Sequence, residues 1–598
     1  MRIGCSCPGY NQHWRWSTKY ERARIPSPPV SGACSTTRSS SSHPQSSNLG
    51  SDVVCVPIDG RKTGAHETDR QNLHSLVDVP TMLVEYWFRR VCPMRSVFDS
   101  EVNYNRQIAS STWSSSSTVF LTMQAMSAAC LVDEMPHLSE TLLSLKTQAS
   151  SAITKAIFIV QSLHAASVTA DLVFAALSYG TSLHWTEPAL REQPWLKSVR
   201  ELLSLWKTQR LSSRDVFLHA YFCQALTYWE MLLSVTGGGA IPAEVEKKRQ
   251  HYKGNLCRAM HLPETASEAA TAQKAIYPDH SHSIYGTRPN SWCGVSSEVI
   301  HIFGQVMALC LGTYRRQNDA GPPSLMGSVD GLCDISVARD LQKELQSMDF
   351  VSLCSKEESE GFIVQTRDDR TPLSHLLLTA EAYRLASLLQ LRLAFRHLEE
   401  APCRPDEASA QEREPRTRDE KSFTDTTCVH QLVTLAVQLV HTLEQIPVES
   451  GSKSSHSMLF LSAAAGLRFD RNSALEADML SCGCTGSWTS NDISSIFTDT
   501  SPSATFPWSH LSSSSLSTSE PDLPAQYANR VSDEVSRARG VVWTRLTGLR
   551  RALPQGTSDD TLQLVHALWS EYDRQESASS DVYWMDVMTR TGSTLMLW

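Results

Sequence analysis

The chain has 598 residues, 41% of them hydrophobic, and a formal net charge of −9 at pH 7. That length supports several cores or one large helical array, and the acidic balance excludes nucleic-acid binding driven by overall charge. The 16 cysteines are scattered, which excludes a dense disulfide framework and points to a reducing compartment.

Residues 1–24 are a local exception to the acidic balance: Arg2, Arg15, Lys19, Arg22 and Arg24 oppose only Glu21. Cys5 and Cys7 stand one residue apart, ahead of a Pro8-Gly9 turn and an aromatic, basic run from Trp14 to Tyr20. No apolar core of a signal peptide is present. No later helical pattern reaches the roughly 20 apolar residues of a membrane span, so no membrane partner is expected. Residues 25–78 hold Pro26, Pro28, Pro29 and a serine run from Ser39 to Ser42. Such a tract cannot offset chain entropy by burial, and a disordered linker is predicted.

Helical spacing begins near Val79. Pro80 to Phe88 opens an aromatic-rich helix expected to stop at Cys92-Pro93, because proline disfavours helix in the residue before it. Val119, Phe120, Met123, Met126, Ala129 and Cys130 carry the next helix, followed by Leu138 to Leu163. Ala170 to Leu183 is apolar nearly all round, the pattern of a helix enclosed by others. Trp195 to Trp206 and Val216 to Val235 add two more, ended by Gly237-Gly238-Gly239. Pro242 to Asn290 is polar and predicts one short helix and a long loop. Val299, Ile302, Phe303, Val306, Met307 and Cys310 form one apolar stripe, with Ser297 as the expected cap and Gly312 as the expected stop. From Thr371 to Leu398, Thr371 can cap, Pro372 suits the first helical position, and the leucines after Leu385 wrap the helix. Ala401 to Thr427 is charged and predicts a solvent loop. Helices resume over Val429 to Ile446 and Met458 to Leu467, residues 472–523 are Ser/Thr-rich, and amphipathic helices follow near Asp533 to Leu549 and Thr561 to Tyr572, with a Trp584 to Met588 segment near the end. No strand alternation and no short repeat period are present. The fold class predicted is all-α, an irregular multi-helix bundle or array with a disordered N-terminal tail and long disordered insertions near 401–427 and 472–523.

The residues give little support to an enzyme. No phosphate loop, Gly-x-Ser-x-Gly elbow or His-Glu-x-x-His helix occurs. His280 and His282 beside Asp279 read as a solvated loop rather than a metal site, and Cys482-Gly483-Cys484 lacks a partner pair at zinc spacing. Cys92, Cys130, Cys223 and Cys310 sit in helical patterns as small hydrophobes. Trp185, Trp206 and Trp229 read as core rather than as a ligand cage. The expected site list is therefore empty: no catalytic, cofactor-binding or metal-ligating residue. The 472–523 tract mixes Asp492, Phe497, Asp499, Phe506, Trp508, Glu520 and Asp522 as an activation segment does, although its low acidic density favours a plain flexible insertion.

Several segments taken in order resemble one family, the fungal Zn(II)2Cys6 transcription factors with their helical fungal-specific transcription factor domain. They are Leu83 to Phe88 with Cys92-Pro93-Met94 and Phe98-Asp99-Ser100, Gln124 to Leu131, Gly304 to Leu309, Glu381 to Leu391, Ile446 to Ser452, Ala464 to Phe469, Leu568-Trp569, Tyr572-Asp573, and Trp584 to Met588. The resemblance implies a helical regulatory domain over residues 79–598. It also implies that residues 1–24 are a remnant of the binuclear zinc cluster and the basic segment after it. Arg2-Ile3-Gly4-Cys5-Ser6-Cys7-Pro8-Gly9-Tyr10 is similar to the motif's end, with Cys7 on the sixth ligand position and Cys5 on a variable one. One or two thiolates cannot close a tetrahedral zinc site, so no cofactor is expected here; zinc would belong to a complete cluster. Arg15, Lys19, Arg22 and Arg24 would give only weak, salt-sensitive phosphate contacts.

The resemblance implies a nuclear regulator of RNA polymerase II genes. Its expected partners are the transcription machinery, another copy or a relative in a homo- or heterodimer, and DNA only where the full cluster is present. Two alternatives stand beside it: a DNA-binding-deficient protein that pairs with intact relatives, and a helical small-molecule sensor. A deep cavity with convergent polar groups would favour the sensor, and a solid core would count against it.

Overall fold

Helix formers dominate from residue 79 onward, and the helices are held together through apolar faces rather than by any sheet. The computed structural model describes residues 78–162, 167–187, 194–236, 242–259, 289–319, 325–361, 364–395, 398, 418–469, 523–552, 557–574 and 582–592. The helices in chain order are α1 (Val79–Tyr86), α2 (Tyr104–Thr112), α3 (Ser117–Leu131), α4 (Ser139–Ser162), α5 (Ala170–Ser182), α6 (Pro194–Thr208), α7 (Ser213–Val235), α8 (Ala243–Ala259) and α9 (Ser297–Asp319). They continue as α10 (Leu325–Gln346), α11 (Phe350–Ser359), α12 (Leu373–Ala394), α13 (Arg418–Glu444), α14 (His456–Gly466), α15 (Leu523–Ala552), α16 (Thr557–Arg574) and α17 (Trp584–Thr591). Among the described residues there is no strand, only an isolated antiparallel bridge between Asn290 and Gly294. The all-α expectation holds.

The sequence placed several boundaries differently. The first helix does not stop at Cys92-Pro93: α1 runs into a π-helical segment, Trp87–Val91, and a last α turn, Cys92–Met94. The Cys92 N–H bonds to the Trp87 carbonyl five residues back. That wider turn relieves the clash a proline ring makes with the preceding turn, so Pro93 is accommodated rather than terminating. Ser297 lies inside α9, and it is the Ser296 hydroxyl that accepts the Val299 N–H, at 3.3 Å. Gly312 does not end α9, which continues to Asp319. Thr371 does not cap α12; its hydroxyl accepts the Gly451 N–H at 2.8 Å, and Pro372 stands at the cap position. Helix α13 starts at Arg418, ahead of the expected Val429. The polar stretch after Pro242 forms α8, of 17 residues.

Helix α12 explains the arrangement. Along it Leu376, Ala380, Ala382, Tyr383, Leu385, Ala386, Leu388, Leu389 and Leu391 are all buried. These positions wrap most of the helix and leave only a polar strip through Ser374, Glu381 and Arg384 partly open to solvent, so neighbours must cover the other sides. Helices α9, α13, α14 and α10 do so, and α9 in turn packs on α7. Where α14 crosses, a Cβ on Gly466 would stand 2.7 Å from the Ala436 Cβ, so glycine is what lets α13 and α14 approach. Helix α5, buried from Leu172 to Gly180, lies between α3, α6 and α7, as its all-round apolar pattern predicted. One continuous core runs from Val84 to Val587. A smaller cluster of Leu83, Leu131, Leu138, Leu142 and Leu145 forms beside it where α1, α3 and α4 meet.

The last three helices belong to the same core. The Trp569 indole N–H donates to the Ala464 carbonyl at 3.1 Å and the Tyr572 hydroxyl to the Ala465 carbonyl at 3.0 Å. Arg468 stacks 4.3 Å from the Tyr572 ring and donates to the Val582 carbonyl at 2.9 Å. The Tyr583 hydroxyl and the Trp584 indole N–H both donate to Gln390 Oε1 on α12, each at 3.0 Å.

Two buried polar groups set testable limits on stability. Asp334 on α10 is 1% exposed; it accepts from Arg249 Nε of α8 at 2.7 Å and the Thr313 hydroxyl of α9 at 3.0 Å, and it pairs with Arg316. Asp334→Ala should leave Arg249 with Glu246 and the more distant Asp330, strip Thr313 and Arg316 of their shared acceptor, and lower unfolding stability by about 1–3 kcal/mol, read from urea midpoints. An unchanged midpoint would show that the network contributes nothing.

His456, the first residue of α14, is held neutral. Burial, then Arg545, His375 and Lys453, push its pKa down to about 3. The unfolded chain binds that proton near pH 6.5, so stability present above about 6.5 should fall as pH drops towards 3. The burial-lowered His184 and His219 act in the same direction. Urea midpoints should decrease from pH 7.5 to 5.0, and His456→Gln should flatten that slope; equal slopes in both proteins would contradict the assignment.

Candidate functional site

The irregular end of the first helix brings the charge of Arg95 into the apolar interior without an acidic partner among the described residues. Arg95 follows the turn containing Pro93, its N–H bonded to the Val91 carbonyl at 3.0 Å. The segment after it is fixed by hydrogen bonds from distant parts of the chain. The Val97 N–H donates to the Ser291 carbonyl at 2.9 Å, the Asp99 N–H to Asp368 at 2.9 Å, and the Ser100 hydroxyl to the Thr366 carbonyl. Asn103 Nδ2 donates to the Ser96 hydroxyl at 3.0 Å, and Asn105 Oδ1 accepts the Trp292 indole N–H at 3.0 Å. Arg106 grips Asp99 through Nε at 2.8 Å and donates to the Phe88 carbonyl at 2.8 Å. Three connections, around residues 95–103, 290–296 and 366–371, are thus tied into one floor.

Above this floor is a cavity of about 40 Å3, measured as the space open to the centre of a water molecule. Its lining is Met94, Arg95, Thr181, His184, Trp185, Tyr228, Trp229, Leu232, Leu233, Thr236, Trp292 and Ser454. The α5–α7 wall is close-packed: a Cβ on Gly180 would stand 2.5 Å from Trp229 Cη2, so only glycine admits the indole there. Trp206 is core, as its helical spacing predicted, but Trp185 and Trp229 also face the cavity.

Arg95 is half-buried among protein groups. Its Nη2 donates to the Thr181 hydroxyl at 2.5 Å and its Nη1 to Met126 Sδ at 3.5 Å. The guanidinium lies 4.5 Å from the Trp292 ring centroid and 5.8 Å from that of Trp185. Removal from water lowers its pKa to about 10, so it stays charged at neutral pH. Burial keeps His184 neutral and holds the Tyr228 hydroxyl well above its ordinary range, so neither adds charge. Among the described residues no carboxylate pairs with Arg95, and no aspartate or glutamate lines the cavity.

A second, larger depression of about 460 Å3 lies among α12, α13 and α15. Two of its arginines are already matched, Arg384 with Glu381 at 2.6 Å and Arg537 with Glu444 at 2.7 Å. Burial pushes the Cys130, Cys223, Cys293 and Cys310 thiols up to about 12 and raises Cys92 as well. These thiols stay protonated and are not nucleophiles at neutral pH. Among the described residues no group of three or more His, Cys, Asp or Glu could hold a metal, and no helix is long and apolar enough to cross a membrane. Cys5, Cys7, Arg15, Lys19, Arg22 and Arg24 lie outside the described residues, as do Asp279, His280, His282, Cys482, Cys484, the Gly237–Gly239 run and the acidic-aromatic tract within 472–522. Sequence reasoning missed Arg95. The only local signal was a basic residue after Cys92-Pro93-Met94, and the residues that give it meaning come from positions 126, 181, 185 and 292.

The segments that carried the family resemblance meet in this structure. Cys92 to Ser100 forms the floor, Gly451 packs against Val97, Ser454 lines the cavity, and Ala464 and Ala465 receive Trp569 and Tyr572. No curated protein and no solved structure matches the chain. A comparison with protein families matches residues 82–473, about two thirds of the chain, to the fungal specific transcription factor domain. That match takes in the floor, the cavity and every helix around α12 except the last three: the chain belongs to the fungal specific transcription factor domain family.

Proposed function

We propose that this protein is a nuclear regulator of transcription by RNA polymerase II and that its helical domain is the regulatory part, without enzymatic activity. The family match over residues 82–473 carries the reading. The proposed partners are the transcription machinery and a second copy or a relative of this chain. DNA joins them where a full zinc cluster is present; of its six cysteines, Cys7 is the one this sequence matches, and zinc would be the cofactor of that cluster.

The test is a full-length chain fused to a heterologous DNA-binding domain and a fluorescent protein in a fungal host. The fusion should collect in the nucleus and change expression from the cognate reporter several-fold relative to the DNA-binding domain alone. A fusion excluded from the nucleus, with the reporter at its baseline, would overturn the reading.

A further inference from the structure

Arg95 differs from three other part-buried guanidinium groups. Arg106, Arg249 and Arg539 each have a carboxylate, from Asp99, Asp334 and Asp573. Arg95 has a hydroxyl, a thioether and two indole faces. Aromatic faces attract a cation but do not neutralise it, and an enclosed charge without a counterion is strongly unfavourable. Of the five N–H donors of a guanidinium, Thr181 and Met126 take two, leaving three without a protein acceptor among the described residues.

The cavity beside it has no acidic residue in its lining. Trp229 lines it and is 1% exposed. The Thr181 hydroxyl accepts from Arg95 and donates to the Leu177 carbonyl at 2.9 Å, so it has no proton left for a ligand. A space of about 40 Å3 has room for roughly three waters, since each needs about 10–15 Å3 on this measure. A compact group suits that space. The missing complement is a compact, acceptor-only, singly charged anion, and a guanidinium fork matches a planar oxyanion with two parallel hydrogen bonds.

We propose that this cavity binds a planar oxyanion on Arg95, either the carboxylate end of a small organic acid or an inorganic ion of the same shape. The Trp292 and Trp185 rings flank the guanidinium and hold its orientation. The anion supplies the counter-charge that the protein omits, so the interior around the Cys92–Ser100 segment is more stable when it is occupied. A role for that anion as effector of the regulatory domain rests on the transcriptional reading; its binding does not.

The test uses the purified full-length chain, with thermal unfolding and tryptophan emission followed at constant ionic strength. Sodium acetate, sodium nitrate and sodium phosphate are titrated against sodium chloride, with acetamide as the neutral match for acetate. Acetate or nitrate should raise the midpoint saturably by several degrees and change the emission, while acetamide and phosphate do neither. Response to acetate alone assigns an organic acid, and to nitrate alone an inorganic ion. Arg95→Met should unfold cooperatively, at or above the unliganded wild-type midpoint, because a lone buried charge is gone, and should lose the response. Thr181→Val, which keeps the charge, should weaken binding about tenfold. The proposal is overturned if neither anion shifts the wild type, if Arg95→Met responds equally, or, should Arg95→Met not fold, if Thr181→Val binds as tightly as wild type. Since binding is read on the isolated chain, it holds or fails independently of any reporter result.

Discussion

A helix apolar on every side cannot rest on a surface; it has to be surrounded. Helix α12 is close to that position, open only along a polar strip at Ser374, Glu381 and Arg384. With Leu376 and Leu385 on opposite sides of it and both buried, it requires α9, α10, α13 and α14 around it, and their outer faces recruit the next layer. The polar atoms trapped inside then need partners from distant parts of the chain. Gln390 on α12 shows this: its side-chain oxygen accepts two hydrogen bonds from Tyr583 and Trp584, close to the end of the sequence. Residues beyond the family match are therefore as much part of the core as those within it.

The same demand for partners shapes the segment around Arg95. Buried backbone and amide groups in the three connections beneath the cavity satisfy one another across more than 260 residues of sequence. The π turn at Trp87–Val91 changes the helical phase just before Pro93 and brings the next residue inward. The outcome is a floor presenting one positive charge to a small space with no acid in its lining.

Much of this was legible in the sequence where the signal was local. The stripe from Val299 to Cys310, the all-round apolar pattern of Leu172 to Gly180 and the leucines after Leu385 each identified a buried helix, because burial acts at the helical period. The signals that failed were decided by distant contacts. Pro93 read as a stop, since a π turn leaves no mark in the residue pattern. Thr371 read as a cap, but Gly451 claims its hydroxyl. Gly312 read as a terminator, although α9 is held beyond it by Tyr314 to Asp586 and Arg316 to Asp334. Helices α10 and α11 were missed, as α10 is amphipathic only weakly and is fixed by the Asp334 network. Arg95 was not readable at all: a cation is distinguished by the absence of an acid near it in space, which no spacing in sequence records.

The central claim is that α12 anchors a single cooperative domain that includes the helices past the family match. Native-state hydrogen exchange on the full-length chain tests it most directly. If the claim holds, amides in α9, α12 and α14 and those in α16 exchange only with global unfolding, with the same dependence on denaturant. If α15, α16 and α17 instead open together at far lower free energy while α12 stays protected, they form a separate unit, and the account of one core around α12 is wrong.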